Sequence, residues 1–378
     1  MDMNIRTIGI LGSGQLGRML AIAAAQRGVR AHIFAPDAQD SPAAEVAYKF
    51  TQASYSDTAA LARFASEIDA VTSEFENVPA EAMRFLSQHI PASPGAKALH
   101  IAQNRLREKQ LAQSLGIATP RYWRISSAQE LKEAISEIDD KAILKTSEQG
   151  YDGKGQIRIH KDTDADTAWQ QLNSSEAILE AFIPFRLEIS VLVWRDKEGE
   201  MGVFPISQNE HRNGILYRSH APAPDIDDMV RQAAEQAAYA IADAVELLGI
   251  LALEAFVTED GQVIFNEIAP RPHNSFHWTI EGCLTSQFTQ TIRIITDEGA
   301  GHCDALGEFM MQNLLGEDAD KFAEFAKDPA MSLHLYGKTS AKTGRKMGHV
   351  TTCLNSIRTG VKQISSAFTG SANDENRS

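Results

Sequence analysis

Leu251-Ala252-Leu253-Glu254-Ala255-Phe256-Val257, Thr258-Glu259-Asp260-Gly261 and Gln262-Val263-Ile264-Phe265-Asn266-Glu267 follow one another without a break. Two apolar runs around an Asp-Gly turn predict a β-hairpin. If Val257 pairs with Gln262, Glu254 faces Phe265, and Glu267 becomes its diagonal neighbour on the same sheet face, roughly 7–8 Å away at the backbone. Two carboxylates among Leu, Ala, Val and Phe are costly unless a cation compensates them. A magnesium ion with phosphate ligands would span the gap, and a solvated charged face is the alternative. Simple alternation puts Asn266 on the opposite face, so a ligand role for it requires a bulge or the strand end.

The hairpin runs directly into Asn266-Glu267-Ile268-Ala269-Pro270-Arg271-Pro272-His273-Asn274-Ser275. Ten residues here hold a carboxylate, two amides, a guanidinium, an imidazole and a hydroxyl, and two prolines keep the segment out of a helix. Oxygen ligands from Asn266 and Glu267 suit a hard cation. Arg271, His273, Asn274 and Ser275 would then offer donors to an anionic substrate beside it. Any one of these residues alone reads as a polar surface loop, but the cluster reads as a site.

Upstream, Lys141 to Thr146 is strand-like and carries Lys145. It is followed by Glu148-Gln149-Gly150-Tyr151-Asp152-Gly153-Lys154-Gly155-Gln156. Three glycines among polar residues make a loop whose amides can cover phosphates, with charge from Lys145 and Lys154. A hairpin with a glycine turn is the plainer alternative. The G-K-[ST] ending of a Walker loop is missing. Ala177-Ile178-Leu179-Glu180-Ala181-Phe182-Ile183-Pro184, with Glu188 shortly after, is an apolar strand and connector suited to an adenine slot.

The first hundred residues form an α/β pattern. A strand at Arg6 to Leu11 precedes Gly12-Ser13-Gly14-Gln15-Leu16-Gly17, a helix from Arg18 to about Arg27, Gly28 and a second strand ending near Asp37. This is the strand, G-x-G-x-x-G, helix fingerprint with an acid about 20 residues on, so a dinucleotide enzyme has to be considered. The physical content is narrower: glycines let a backbone approach a ligand, and a helix N-terminus attracts an anion. Ala70-Val71-Thr72-Ser73-Glu74-Phe75-Glu76-Asn77-Val78-Pro79 ends a further strand. Period-two alternation places Glu74 and Glu76 on one face at the sheet's carboxyl edge, and a charged strand end is the competing reading. Ser93-Pro94-Gly95 breaks the chain before a helix near Lys97.

At 378 residues the chain exceeds what one core usually serves. Its net charge of −14 argues against a nucleic-acid or anionic-membrane surface, so a phosphate ligand must be held by local basic clusters. Cys283, Cys303 and Cys353 fit no disulfide or zinc spacing. Met1 to Thr7 carries no signal-peptide pattern, no run reaches the length of a membrane span, and a cytoplasmic protein is expected.

Glycine-rich first domain, strand lysine, glycine-rich lid, adenine connector and acidic hairpin follow the order of the ATP-grasp superfamily. Within it, Ser73-Glu74-Phe75-Glu76-Asn77-Val78-Pro79, Gly150-Tyr151-Asp152-Gly153-Lys154-Gly155-Gln156, Asn266 through Ser275 and Gly344-Arg345-Lys346-Met347-Gly348-His349 resemble the 5-(carboxyamino)imidazole ribonucleotide synthase family. The resemblance runs from about Ile5 to about Thr352. It implies a mixed α/β and α+β fold: a Rossmann-like pre-ATP-grasp parallel-sheet domain over 1–97 and an ATP-grasp domain over 98–294. The latter would include a lid subdomain at about 118–185. A small C-terminal domain over 295–378 would complete the substrate site, with a disordered tail from about 365.

By the same resemblance, Arg105, Lys145, Gly150 to Gln156, Glu180, Ala181, Phe182, Ile183, Glu188 and His211 contact ATP. Glu254 and Glu267, with Asn266, hold two magnesium ions. Lys338 and Arg345 take the phosphate of aminoimidazole ribonucleotide. Tyr151, Arg271, His273, Asn274 and Ser275 line the space beside the γ-phosphate, with Tyr151, Arg271 and His273 the catalytic candidates. Gln15, Leu16 and Glu76 form the first-domain wall, so the glycine-rich corner serves the ribonucleotide and NAD is not expected. Bicarbonate is the implied co-substrate and a homodimer the implied assembly, with neither nucleic acid nor membrane as partner. Two departures stand out: Lys342-Thr343-Gly344-Arg345 replaces the Arg-Pro-Gly-Arg of many relatives, and Phe276 stands where glycine is common. Phe276 is therefore expected to alter the fit at the substrate cleft. A related formyl transferase shares the architecture. A nicotinamide dehydrogenase would leave Lys145, Lys154 and the acidic hairpin unused, and a non-catalytic regulator would be expected to lose one of the acids or phosphate-binding basics.

Overall fold

The computed structural model describes residues 6–148 and 155–356. Thr7–Leu11 and Arg30–Ala35, rich in β-branched and apolar residues, lie at the centre of a four-stranded parallel sheet. Its order is Lys49–Gln52, Arg30–Ala35, Thr7–Leu11, Ala70–Ser73. The helix after the glycine-rich turn spans Gln15–Gln26, starting three residues earlier than the pattern predicts, with Met19, Leu20, Ala23 and Ala24 buried against the sheet.

Glu74 overturns the period-two reading of the next segment. The strand ends at Ser73, and the chain turns so that Glu74 and Glu76 point to different places. The Glu74 carboxylate caps the first helix, accepting from the backbone N–H of Gly14 (2.5 Å) and Gly17 (2.6 Å). The helix N-terminus is thus already capped by the protein's own carboxyl group, whose pKa burial raises against the pull of the Gly17 and Gly14 amides. A Cβ on Gly12 would lie 2.2 Å from Glu74 Cγ, and the residue sits at φ +110°. Asp37 accepts from the Ser13 hydroxyl at 2.8 Å. The fingerprint glycines make room for a buried carboxylate, and the dehydrogenase reading loses its pyrophosphate site. Gly12→Ala is expected to destabilise the protein by about 3 kcal/mol through strain and overpacking, read as a lower Tm.

Tyr122–Ile125, Ala177–Ala181, Lys141–Thr146 and Gln156–His160 form a separate antiparallel sheet in that order. Its apolar face, with Leu144, Ile159 and Leu179, packs on Leu131, Ile135 and Ala168 of helices Ala128–Glu137 and Ala165–Leu172. Each large apolar side chain buried this way contributes roughly 1.5–3 kcal/mol.

The largest sheet contains the acidic hairpin. Its strands run in the order Val263–Ala269, Gly249–Val257, Leu187–Arg195, Ser207–Arg212, Ile215–Ala221, Gly307–Leu315, Lys346–Ser356, Met331–Leu335, with Met201–Val203 paired to Leu187–Arg195. The C-terminal strands extend this sheet and build no separate one. Helix Asp228–Ala244 covers one face through Ala234, Ala238 and Ile241 against Val191, Val193 and Leu251. Helix Gln287–Ile295 instead drives Phe288, Ile292 and Ile295 into the core of the first sheet, where Tyr336 joins them. Phe276, expected at the substrate cleft, is fully buried near Phe204 and Trp278. Its ring serves the core and not the cleft.

Candidate active site

The hairpin register differs from the predicted one. Val257 pairs with Val263 and Ala255 with Phe265, and then a bulge brings Glu254 directly opposite Glu267. Asn266 is the extra residue of that bulge, which is what a ligand role for it required. Its Oδ1 is buried without a hydrogen-bond donor. Two facing carboxylates and an orphaned amide oxygen are a donor set suited to magnesium. Among the described residues no cluster of three or more carboxylate, imidazole or thiol groups forms a cage of its own. A metal here would therefore need further oxygens from a ligand.

Each acid has a nitrogen partner. Arg105 Nη1 donates to Glu267 Oε2 at 2.5 Å, and His273 Nε2 lies 2.8 Å from Glu254 Oε1. Burial alone would raise the Glu254 pKa, but the charge and hydrogen bond of His273 outweigh it and hold it down at about 2. Arg271 Nε donates to Glu76, which joins the first domain to the loop after the hairpin. Glu76 is likewise held below the ordinary carboxylate range, the Arg271 charge overcoming the effect of burial. Glu76, Asn77, Arg105, Glu108, Glu148, Glu267, Arg271 and His273 all line one cleft.

His273 is fixed from several directions. Its Nδ1 meets the Ser275 hydroxyl at 2.7 Å, and its backbone N–H and C=O are clasped by the Gln287 amide at 2.7 and 2.9 Å. Ser275 is wholly buried, and the Asn274 amide is spent on a reciprocal pair with Asn313 at 2.9 and 2.8 Å. The structure thus places Asn274 and Ser275 behind His273, where their hydrogen bonds hold the loop. Ser275→Ala is expected to lower kcat about tenfold, the value of one positioning hydrogen bond, with the nucleotide KM unchanged. Steady-state kinetics decide this.

Lys145 Nζ donates to Glu180 Oε2 at 2.5 Å, and the Glu180 side chain is buried. Ala181, Phe182 and Ile183 follow as the connector, with Phe182 exposed and Phe185 stacked on Phe256 at 4.6 Å, an open apolar wall. Glu188 pairs with His211 from the adjacent strand. That partner raises the imidazole pKa against the lowering effect of burial. Gly155 and Gln156 close the lid hairpin, Thr146 N donating to Gly155 O at 2.9 Å. Gly150, Tyr151, Asp152, Gly153 and Lys154 lie outside the described residues, as does the tail from about 365.

On the other side, Lys338 Nζ donates to Gln15 Oε1 at 2.5 Å and to the Lys346 carbonyl at 2.6 Å, tying the C-terminal region to the glycine-rich turn. Leu16 packs on the first-sheet core. Arg345 is exposed and donates to Ser340, on a turn closed by Arg345 N to Lys342 O at 2.9 Å. Thr343 lies within that turn, and nothing in the structure distinguishes it from proline there.

Glu108, Lys109 and Gln287 escaped the sequence reading. Lys109 is buried and donates to the Asn266 carbonyl at 2.6 Å, while Glu108 accepts from Ile268 N at 2.9 Å. Burial, then the neighbouring Glu267 charge, pushes the Glu108 carboxyl up to about 8. The only local signal was Asn104, which caps helix Arg105–Ser114 through Leu106 N and Arg107 N. That helix has charged residues all round, so no stripe marks the inward ones.

Parallel first domain, antiparallel lid and acidic hairpin over a shared cleft define a protein of the ATP-grasp class. Residues 110–288 match the model of the ATP-grasp domain, 5–103 that of the ribonucleotide synthetase preATP-grasp domain, and 310–363 that of the phosphoribosylaminoimidazole carboxylase C-terminal domain. An N5-carboxyaminoimidazole ribonucleotide synthase of Brucella melitensis is 42% identical over 347 residues, covering 91% of this chain and 95% of that one. The bifunctional purine synthesis protein purC/E of Dictyostelium discoideum is also 42% identical, and this chain spans 37% of its length. Among solved structures, an ADP complex of an N5-carboxyaminoimidazole ribonucleotide synthetase superposes with TM-score 0.88 at 40% identity, covering 96% of each chain. The Aspergillus clavatus enzyme in complex with ADP and 5-aminoimidazole ribonucleotide superposes with TM-score 0.84 at 28% identity, over 97% of this chain and 98% of that one. The chain belongs to the N5-carboxyaminoimidazole ribonucleotide synthase family.

Proposed function

We propose that this protein carboxylates the exocyclic amine of 5-aminoimidazole ribonucleotide, using ATP and bicarbonate and releasing ADP and phosphate, as a step of purine synthesis. The observation that carries this reading is the single cleft in which Glu267 and Arg105 meet Arg271, His273 and Glu76. ATP would lie between the lid and the hairpin. Its adenine would rest on the Ala181–Ile183 connector near Glu188 and His211, and its phosphates near Lys145, Arg105 and the 150–156 loop with Tyr151. Glu254, Glu267 and Asn266 would hold magnesium, which supplies charge neutralisation on the phosphates.

A bicarbonate oxygen attacks the γ-phosphorus and ADP leaves, giving carboxyphosphate. Arg271 orients the bicarbonate and stabilises its transferred charge, positioned by Glu76. Carboxyphosphate breaks down to carbon dioxide and phosphate in the closed cleft. The ribonucleotide amine then forms the N–C bond to that carbon and gives up a proton. Lys338, Gln15 and Arg345 would take the ribonucleotide phosphate. His273, held between Glu254 and Ser275, stands beside the reacting groups. A cytoplasmic homodimer is part of the same reading, and light scattering tests the dimer.

ADP release from ATP and bicarbonate is expected to rise sharply on adding aminoimidazole ribonucleotide. Stimulation by glycinamide ribonucleotide with formate instead would assign the chain to formyl transfer.

A further inference from the structure

Glu180 is a buried carboxylate shared by two ammonium groups from different parts of the fold. Lys145, from the lid sheet, reaches Oε2 at 2.5 Å, and Lys109, from helix Arg105–Ser114, lies 3.0 Å from Oε1. The second contact is ionic without hydrogen-bond alignment, and Oε1 has no hydrogen-bond donor. The two lysines are not equivalent. Lys109 is 1% exposed and anchored to the Asn266 carbonyl at 2.6 Å, whereas the Lys145 side chain is 12% exposed and has Glu180 as its ion partner. Lys145 can therefore leave, and Lys109 cannot without breaking its hold on the acidic bulge.

We propose that Lys109 is a positioning residue that keeps Glu180 neutralised while Lys145 moves from that carboxylate to the phosphates of a nucleotide. This rests on the reading of the cleft as a nucleotide site. With Lys145 as its only ammonium partner, Glu180 would keep just the neighbouring Arg105 charge, itself paired with Glu267, whenever Lys145 turned to a ligand, and Lys145 would stay where it is. With Lys109 in place the carboxylate keeps a cation in both states. Because the same ammonium donates to the Asn266 carbonyl, the lysine exchange and the metal-facing bulge share one fixed point.

The test is binding of ATP with magnesium, set against binding of adenosine, which has no phosphate to attract Lys145. Lys109→Met keeps the length and removes the charge. It is expected to weaken ATP binding ~10- to 100-fold, the value of a charged hydrogen bond, while leaving adenosine affinity unchanged. Adding Glu180→Gln releases Lys145 and is expected to return the ATP dissociation constant to within about threefold of the parent protein. Packing damage alone would weaken both ligands and would not be rescued by the second change. The proposal is overturned if folded Lys109→Met binds ATP as the parent does, if adenosine weakens equally, or if the double variant does not recover. Should Lys109→Met not fold, Glu180→Gln alone decides: the ratio of ATP to adenosine affinity should rise, and an unchanged ratio sinks the idea. Failure of the parent protein to bind ATP at all would instead overturn the nucleotide reading, and this proposal with it.

Discussion

Arg271→Ala should lower ribonucleotide-stimulated ADP release by ~10²–10³-fold, the scale of losing one fixed charged donor at a reacting centre, while ATP binding is kept. The side chain is mostly buried, and its Nε is committed to Glu76, so the guanidinium enters the cleft with little freedom left to lose. Nη1 also donates to the Pro272 carbonyl at 3.1 Å, and the remaining Nη1 and Nη2 protons are suited to a planar carboxylate such as bicarbonate. ATP binding should survive because the residues placed around the nucleotide belong to the lid, the connector, the hairpin, helix Arg105–Ser114 and the strands of Glu188 and His211, and not to the loop after the hairpin. Truncation also strips Glu76 of its partner, so Glu76→Gln is the necessary comparison. That variant leaves the guanidinium in place but looser, and about a tenfold loss is expected. Measuring ADP release and ATP affinity on both variants separates the contributions. Near-normal turnover in Arg271→Ala would remove Arg271 from the chemistry.

Glu267→Gln carries the second large effect. The substitution keeps shape and removes one of two facing charges. It should cost ~10³-fold in turnover, since neutralisation of phosphate charge by a metal is worth several kcal/mol and each 1.36 kcal/mol is tenfold. Half-maximal magnesium should rise at least about tenfold, because a carboxylate ligand becomes an amide. Arg105 loses the partner 2.5 Å away as well, so some ATP affinity should fall with it. Glu254→Gln makes an instructive contrast, because it additionally frees the His273 ring from a 2.8 Å contact. A magnesium titration of Glu267→Gln that overlays the parent curve would end the metal assignment.

Both predictions concern residues visible in the chain before any fold was known. Glu267, Arg271 and His273 stood out because polar groups were dense where an apolar strand ended, and Glu254 because it is an acid inside an apolar strand; both contrasts are local. The first-domain strands, the lid strands and the hairpin were legible for the same reason: period-two apolar runs and Asp-Gly or glycine-rich turns act over a few residues. The G-x-G-x-x-G turn was read as a ligand corner, although the group its amides hold is the Glu74 carboxyl, 60 residues from Gly14. Nothing local distinguishes a glycine that admits a ligand from one that admits a side chain.

By itself the sequence determined the order of the elements, the chemistry available in each and the family to which they point, since all of these reside in short-range pattern. Tertiary structure alone decided how those groups meet. It set the bulge that turns Glu254 to face Glu267, a one-residue shift that flips side chains between sheet faces. It sent Asn274 and Phe276 inward, and it brought Lys109 to Asn266 across 157 residues and Lys338 to Gln15 across 323. Such contacts form where whole elements pack, and the energy that selects them is spread over the core and not written beside either partner.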